Sequence, residues 1–565
     1  MFVKITSSGP RKYVQLVESF RDDQGRVKKR TVATLGRLDE LSGELGTVID
    51  GLLKIAGEPP RGAPAGPPSA RFESARALGN VWALTELWKE LGFSDLRRVF
   101  RRTRHTTDVE ALVRIMVLNR LCDPESKLGV LRWIQTVALP GIDVESVTHQ
   151  QLLRSMDGLI EHCDAVDASV AALLRPLVDQ DLSVVFYDLT TIRVEGSSTQ
   201  QADVRQFGMS KEGIIARQFM LGVVQTAEGI PIYHEVFDGN VAETATLLPT
   251  LQKVLARFPS LKRVVLVADR GLLSLDNLEA LQALRLHDTQ PVEFIIAVPG
   301  RRYGDFVELL AEFQKSCTQA SQEITGEVAW NGLRLVMAHD PQAAADQQAR
   351  RREQIADLER QADAYAQKLE GQEAGVTARG RKLSSSGAKA RFYHEVAESH
   401  LRRIIKVDTT SEQFSYYLDE AALAQAELMD GKLLLVTNVA DMAPERVIER
   451  YKSLADIERG FKVLKSELEI GPVYHRLPDR IRAHAMICFL ALILHRVMRM
   501  RLRAANAGVT PERALESLQR IQHHRVLLNQ GAPLTGVSMM TVEQTAVLKA
   551  LKVTKPSDDR QLSLL

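Results

Sequence analysis

Apolar and polar positions alternate from Phe2 to Leu41 around the turn residues Asp22-Asp23-Gln24-Gly25. A period of two broken by such a turn predicts a β-hairpin, Tyr13–Phe20 against Val27–Leu35, with Lys28, Lys29 and Arg30 making its second strand basic. A short helix is expected to follow to Ile55, closing an N-terminal segment of residues 1–56. Residues 57–71 are rich in Pro, Gly and Ala and predict a linker. From Phe72 to Val178 the apolar spacing is helical, without a convincing strand. Val109, Leu112, Val113, Met116 and Leu118 make one stripe with Thr107 or Asp108 as its cap, within a helical domain expected over 72–180.

From Leu182 the pattern changes. Val184–Tyr187, Gln218–Val224 and Ile230–Phe237 read as strands, the last two joined at Glu228-Gly229. A helix over Thr244–Phe258, a strand ending at Asp269, a helix over Ser274–Leu284 and a strand over Phe294–Val298 complete the first part of a core, 181–300. This predicts an α/β fold, a mixed sheet flanked by helices. A large α+β insert over 301–440 then interrupts it. There Glu327–Trp330 and Leu333–Met337 form a hairpin about Asn331-Gly332. Ile355, Leu358, Ala362, Tyr365 and Leu369 mark one half of a helical hairpin or short coiled coil. A strand pair is expected near Arg403–Val407 and Phe414–Leu418, and another strand over Lys432–Thr437. Helix resumes at Pro444, giving core helices over 441–505 and a helical tail over 506–565.

A chain of 565 residues is too long for one compact core. A net charge of +2 excludes a histone-like polycation but leaves room for local basic surfaces. The four cysteines, Cys122, Cys163, Cys317 and Cys488, have neither zinc nor disulfide spacing, which favours a reducing compartment. Met1–Gln15 has no secretory pattern. The apolar run Ala485–Leu494 is too short to span a bilayer and reads as a buried helix. A soluble, cytoplasmic protein without a membrane partner is the expectation.

Three acidic residues carry the candidate chemistry. Asp188 and Asp269 each follow an apolar run, so each is expected at a strand end. Glu458 is expected on an amphipathic helix whose stripe is Ile457, Phe461 and Leu464. Singly, an aspartate at a strand end is more often a turn former or cap, and Glu458 could simply pair with Lys462. Together, two carboxylates on neighbouring strand ends and a third on a covering helix can hold hard divalent cations, which prefer oxygen donors. Offsets of 7, 4 and 3 place Tyr451, Glu458, Lys462 and Lys465 on one helical face, suited to a phosphate backbone. The run containing Arg97, Arg98, Arg101, Arg102 and Arg104 reads equally as a solvated face or a phosphate-contacting surface. Seven arginines from Arg476 to Arg503, Arg482 among them, are opposed only by Asp479 and favour a DNA-facing surface.

The order of elements is similar to the ribonuclease-H-like fold, and the motifs resemble the DDE transposases of bacterial insertion sequences, in the cut-and-paste branch with a Tyr–Arg–Glu–Lys signature. Tyr451, Glu458 and Lys465 match its spacing, and Leu454 stands at its arginine position. The segments Tyr187–Thr191, Asp269–Gly271, Asp238–Asn240, Pro472–His475 and Arg482–His484 resemble further family motifs. The resemblance implies that Asp188, Asp269 and Glu458 bind two Mg²⁺ ions, with Mn²⁺ able to substitute. It implies cleavage at an element's ends followed by strand transfer into target DNA. Tyr451 and Lys465 would contact phosphates, and a homodimer would hold the terminal inverted repeats near the bacterial nucleoid. Trp330 fits either a flipped base or strand packing. Two other readings remain: a non-catalytic DNA-binding relative, and another ribonuclease-H-like nuclease such as a junction resolvase.

Overall fold

The computed structural model describes residues 1–556 except Ser42, Glu44, 59–69, 102–106, 179–182, 197–202, 210–212, 273–274, 287–289, 318–319, 376–381 and 529–532. Most of the linker expected over 57–71 therefore lies outside the described residues, as does Arg102. The chain divides into two compact units.

The first unit contains Met1–Ala75 and His524–Gly536. Its strands β1 (Phe2–Ser8), β2 (Arg11–Arg21) and β3 (Val27–Arg37) form an antiparallel sheet, so the expected hairpin gains a third strand. Asp22 accepts from the backbone N–H groups of Gln24 and Arg26, which fixes the β2–β3 turn. Helix α1 (Leu45–Ile55) follows. Strand β4 (Ala70–Ala77) pairs with chain from beyond residue 520, where a helical tail was expected. The stretch from Phe72 therefore opens as a strand and not as a helix.

The second unit is built on a nine-stranded sheet. The helices α2 (Gly79–Glu90), α3 (Val109–Cys122), α4 (Lys127–Trp133), α5 (His149–Glu161) and α6 (Cys163–Leu174) come first. Asp108 caps α3 by accepting from Ala111 N. Strands β5 (Ser183–Arg193), β6 (Gln206–Met209), β7 (Ile215–Thr226) and β8 (Pro231–Asp238) precede α7 (Glu243–Arg257), β9 (Val264–Ala268), α8 (Leu275–Ala283) and β10 (Glu293–Ala297). β5, β7 and β8 are antiparallel neighbours, and β9 and β10 follow β5 in parallel. In order across the sheet, the five strands run β8-β7-β5-β9-β10.

The insert does not stand apart from this sheet. After α9 (Val307–Cys317), strands β11 (Ile324–Trp330) and β12 (Leu333–His339) form the expected hairpin. Helices α10 (Pro341–Glu373) and α11 (Ser385–Glu398) and strands β13 (Ile405–Val407) and β14 (Tyr416–Leu418) enclose a separate small core around Leu358, Phe392 and Ile405. Then α12 (Glu420–Met429) leads to β15 (Lys432–Thr437), which pairs antiparallel with both β10 and β12. The central sheet thus continues as β10-β15-β12-β11. The burial of Leu434, Leu435 and Val436, all 0% exposed, explains why β15 lies inside the sheet.

Past Pro444 the expected single helix is broken. Helix α13 (Pro444–Lys452) ends at Ser453, α14 (Ala455–Lys462) follows, and a π-helical turn spans Val463–Glu467. The break draws Leu454 into the core, 6% exposed. Helix α15 (Pro478–Ala504) is long and apolar enough to cross a membrane, but 94% of that stretch is buried inside the protein. Helices α3 and α5 and strand β8 pack on it, so the helices before residue 178 share one core with the sheet. Helices α16 (Pro511–Gln519) and α17 (Val542–Ala550) close this side.

Candidate active site

Parallel pairing of β5 and β9 runs from Ser183↔Val264 to Tyr187↔Ala268. The next residue on each strand is Asp188 and Asp269, so the register itself sets the two carboxylates side by side, about 5 Å apart at the backbone. The strands do not end alike. β9 stops at Ala268, as expected, whereas β5 continues five residues past Asp188 to Arg193, so Asp188 is not at a strand end. It continues because Asp188 is still paired with Val223 of β7. Asp188 is 9% exposed and accepts from Leu189 N at 2.7 Å. Tyr187, pointing to the other face, donates to Thr246 Oγ1 and ties β5 to α7.

Tyr451 lies at the end of α13. Its hydroxyl donates to Asp269 Oδ1 at 2.9 Å. Burial, followed by the Asp269 charge and this hydrogen bond, pushes the phenol pKa well up, so it stays a donor. Arg270 lies beside it. Burial alone would lower the Arg270 pKa, but Tyr303, Tyr451 and Asp269 together raise it. The tyrosine expected on an exposed phosphate-contacting face is thus turned inward onto an acidic residue. The reason is the break at Ser453, which separates its helix from that of Glu458.

Glu458 is exposed on α14, and α14 packs against β5. Gly460 lets the same helix come close to β7, since a Cβ there would lie 2.6 Å from Gln225 Nε2. Phe461 and Leu464 are buried as the stripe predicts, while the side chain of Ile457 lies outside the described residues. Lys462 is exposed and Lys465 half-buried in the π-helical turn.

Sequence reading passed over Glu243, the first residue of α7. A Cβ on Gly271 would fall 2.2 Å from its carboxylate, so Glu243 lies against the loop that follows Asp269. Thr191, Asn240 and Glu243 line a cavity of about 320 Å³ here. The only sequence signal was the neighbouring Asp238-Gly239-Asn240 loop, because an acidic first turn is ordinary helix chemistry.

The arginines expected to form a basic surface after Gly471 divide: Arg476 and Arg503 are exposed, whereas others are drawn into pairs within the fold. Arg480 forms a bidentate pair with Asp157, Arg501 with Glu90, and Arg482 reaches Asp479 at 3.2 Å. Arg496 is 4% exposed. Arg98 remains exposed with Asp95 at 3.3 Å, and Arg101 is exposed. Trp330 packs on Phe306 at 5.3 Å between centroids.

Among the described residues, Glu467, His495 and Glu512 each offer one donor atom, all within 4.8 Å of one another. The set could hold a single divalent cation. Here His495 Nε2 lies 2.6 Å from Glu512 and 3.1 Å from Glu467, spacings that suit a shared proton. Burial alone would lower the imidazole pKa, but the two carboxylates outweigh it and raise it.

Comparison with known families agrees with this layout. A model for the N-terminal domain of IS1634 family transposases matches residues 3–64, and one for the transposase DDE domain matches residues 179–494. No curated protein matches the chain.

Proposed function

The chain belongs to the DDE transposases of insertion-sequence elements, whose catalytic-domain model covers more than half of it, and we propose that it cuts DNA at the ends of its element and transfers them to target DNA. The observation carrying this reading is the β5–β9 register that sets Asp188 beside Asp269. The β8-β7-β5-β9-β10 strand order supports a ribonuclease-H-like core, and Tyr451, Glu458 and Lys465 support the Tyr–Arg–Glu–Lys branch.

Three carboxylates make an all-oxygen donor set, which fits Mg²⁺ and also Mn²⁺. Asp188, Asp269 and Glu458 would hold two such ions, which would supply Lewis acidity for phosphodiester chemistry. Tyr451 holds Asp269 in orientation. Lys462 and Lys465, together with Arg98, Arg101, Arg102 and Arg482, would supply cationic contacts to backbone phosphates. In the first step water bonds to phosphorus and the P–O3′ bond breaks, leaving a 3′ hydroxyl and a 5′ phosphate. In the second, that hydroxyl bonds to a target phosphorus and the target 3′ oxygen leaves. Two copies would pair the terminal inverted repeats, in the cytoplasm at the nucleoid.

The test is a cleavage and strand-transfer assay on DNA carrying the element's ends. Asp188→Asn, Asp269→Asn and Glu458→Gln should each abolish both steps in Mg²⁺ while the protein still folds and binds ends. Near-normal cutting by any one of them removes that residue from the site.

A further inference from the structure

Away from the acidic pair, a cavity of about 540 Å³ opens between the end of α3, the starts of α4, α5 and α15, and the Glu469–Leu477 loop. Its lining is cationic. Lys127 is 6% exposed, lines the cavity, and forms no hydrogen bond or ion pair among the described residues. Arg120, 5% exposed, donates to the carbonyls of Glu125, Leu468 and Glu469, all uncharged acceptors. A buried ammonium without an acceptor is costly unless something anionic joins it.

Two helices begin at the same cavity. α15, with 27 residues, starts from Leu477 without any side-chain cap, and Leu477 and Arg480 are in the lining. α5, with 13 residues, presents its first residue, His149, but Thr148 and Gln151 already cap its end, so α15 is the start open to a ligand. Backbone N–H groups and helix dipoles at such ends favour anions. The acids in the lining do not neutralise Lys127. Glu469 is exposed, and Glu125 turns its carboxylate toward Gly129 and Arg132. The charged or titratable groups that interact with Lys127 are Arg120, the Cys488 thiol, and His475 and His484, whose imidazole pKa values are held down first by burial and then by Lys127 and Arg120 among other cations. Leu128, Leu153, Pro472 and Val473 give the cavity an apolar wall, beside the polar Tyr474, His475 and His484.

We propose that this cavity binds the phosphomonoester of a nucleotide, free or at the 5′ end of a DNA strand, with Lys127 and the start of α15 taking the phosphate and the apolar wall taking the nucleoside. The volume falls in the range of small-ligand sites. The inference stands on this cavity alone and does not depend on the acidic pair.

Calorimetry on the full chain tests it with thymidine 5′-monophosphate, and with thymidine as control. The nucleotide should bind, thymidine should bind at least tenfold more weakly, and Lys127→Met should weaken the nucleotide at least tenfold without altering thymidine. Equal binding of nucleotide and nucleoside, or unchanged nucleotide binding by a folded Lys127→Met protein, would overturn the proposal. Should that variant fail to fold, the unmodified chain decides. Burial, then Arg120, holds the Lys127 pKa down to about 7, so at pH 8 the side chain is mostly neutral while a phosphomonoester is dianionic. Binding there should take up about one proton, read from buffers of different ionisation heat, and binding without uptake would also overturn it. Oligonucleotides with 5′ phosphate or 5′ hydroxyl separate the sources. A tenfold preference for the 5′ phosphate that needs Lys127 assigns the site to DNA ends, and mononucleotide binding without that preference assigns it to free nucleotide.

Discussion

Changing Tyr451 to Phe removes one oxygen atom and leaves the ring to fill its half-buried place at the end of α13. The lost contact is the 2.9 Å hydrogen bond to Asp269 Oδ1. A hydrogen bond to a charged group contributes about 1.5–3 kcal/mol. Asp269 has few other fixed partners, because β9 ends one residue before it and its backbone begins a loop. Without the hydroxyl the carboxylate gains rotamer freedom, and the set of donors for the cations loses preorganisation. If the whole contact is felt in the cleavage step, the rate falls by roughly 10- to 150-fold, at 1.4 kcal/mol per factor of ten. Part of the loss should appear as a higher Mg²⁺ requirement. The assay is single-turnover cleavage of end DNA across a Mg²⁺ series, with DNA affinity measured separately in Ca²⁺. The expected pattern is slower cleavage, a raised half-saturating Mg²⁺ concentration and unchanged affinity. Weakened DNA binding with a normal Mg²⁺ curve would restore the phosphate-contact role read from the sequence and refute the positioning role. A covalent DNA–protein adduct on Tyr451 would refute both.

Arg263→Met should cost about 1 kcal/mol, since one of its two carboxylate partners, Asp441, is 66% exposed. It should also slow cleavage by loosening the start of α13, and a variant with lowered stability but wild-type cleavage would sink that coupling. His495 has a folded pKa raised above its usual value by Glu467 and Glu512, so its contribution to stability is full below about 6.5 and is lost as pH rises through the raised value. Denaturant midpoints between pH 6 and 9 should therefore fall in the unmodified chain and flatten in His495→Gln, and parallel curves would contradict this. Arg101→Ala should weaken terminal-repeat binding and lower the salt slope by about 0.9, whereas Arg501→Ala, which breaks the Glu90 pair inside the fold, should cost stability and leave the slope alone. Equal slopes for the two variants would undo the division between surface and core arginines.

The strands were legible wherever burial leaves a continuous apolar run, as in Val264–Ala268, or an alternation about an Asn-Gly turn, as at Asn331-Gly332. Strand identity is local, but the partner is not. Nothing near Leu435 announces that it will face Ala297, so the insert looked like a separate body and not a continuation of the sheet. The arginines of α15 show the same limit. Charge is visible in sequence, whereas Asp157 and Glu90, which neutralise Arg480 and Arg501, lie 323 and 411 positions away. The positions of Asp188 and Asp269 after apolar runs, and of Glu458 on a docked amphipathic helix, were legible because such runs and stripes are local signals. The break at Ser453–Leu454 was missed because helical spacing persists through it. Only the tertiary placement of Leu454 in the core and of Gly460 against Gln225 reveals the bend.

That bend bears on how Asp269 and Glu458, 189 positions apart (458 less 269), would serve the one site proposed for them. The chain leaves the sheet after β10 and returns along β15, antiparallel, with Thr437 opposite Ile295. It therefore re-emerges at the end of the sheet where β9 and β10 begin. There Arg263 grips Glu293 and Asp441 together. From this clamp α13 lies on β9 and β10 and runs toward the end of β9. Six residues of strand from Arg263 to Asp269 cover about 20 Å, and a short extended lead plus two helical turns to Tyr451 cover about the same. The two lengths match, so the Tyr451 hydroxyl meets Asp269. A straight continuation would carry Glu458 about 10 Å further on, beyond the acidic pair. The turn at Ser453–Leu454 instead redirects α14 onto β5, the strand that carries Asp188. The insert can thus hold a second small core of its own without disturbing the site, because the Arg263 clamp and the Tyr451 contact fix α13 at both ends.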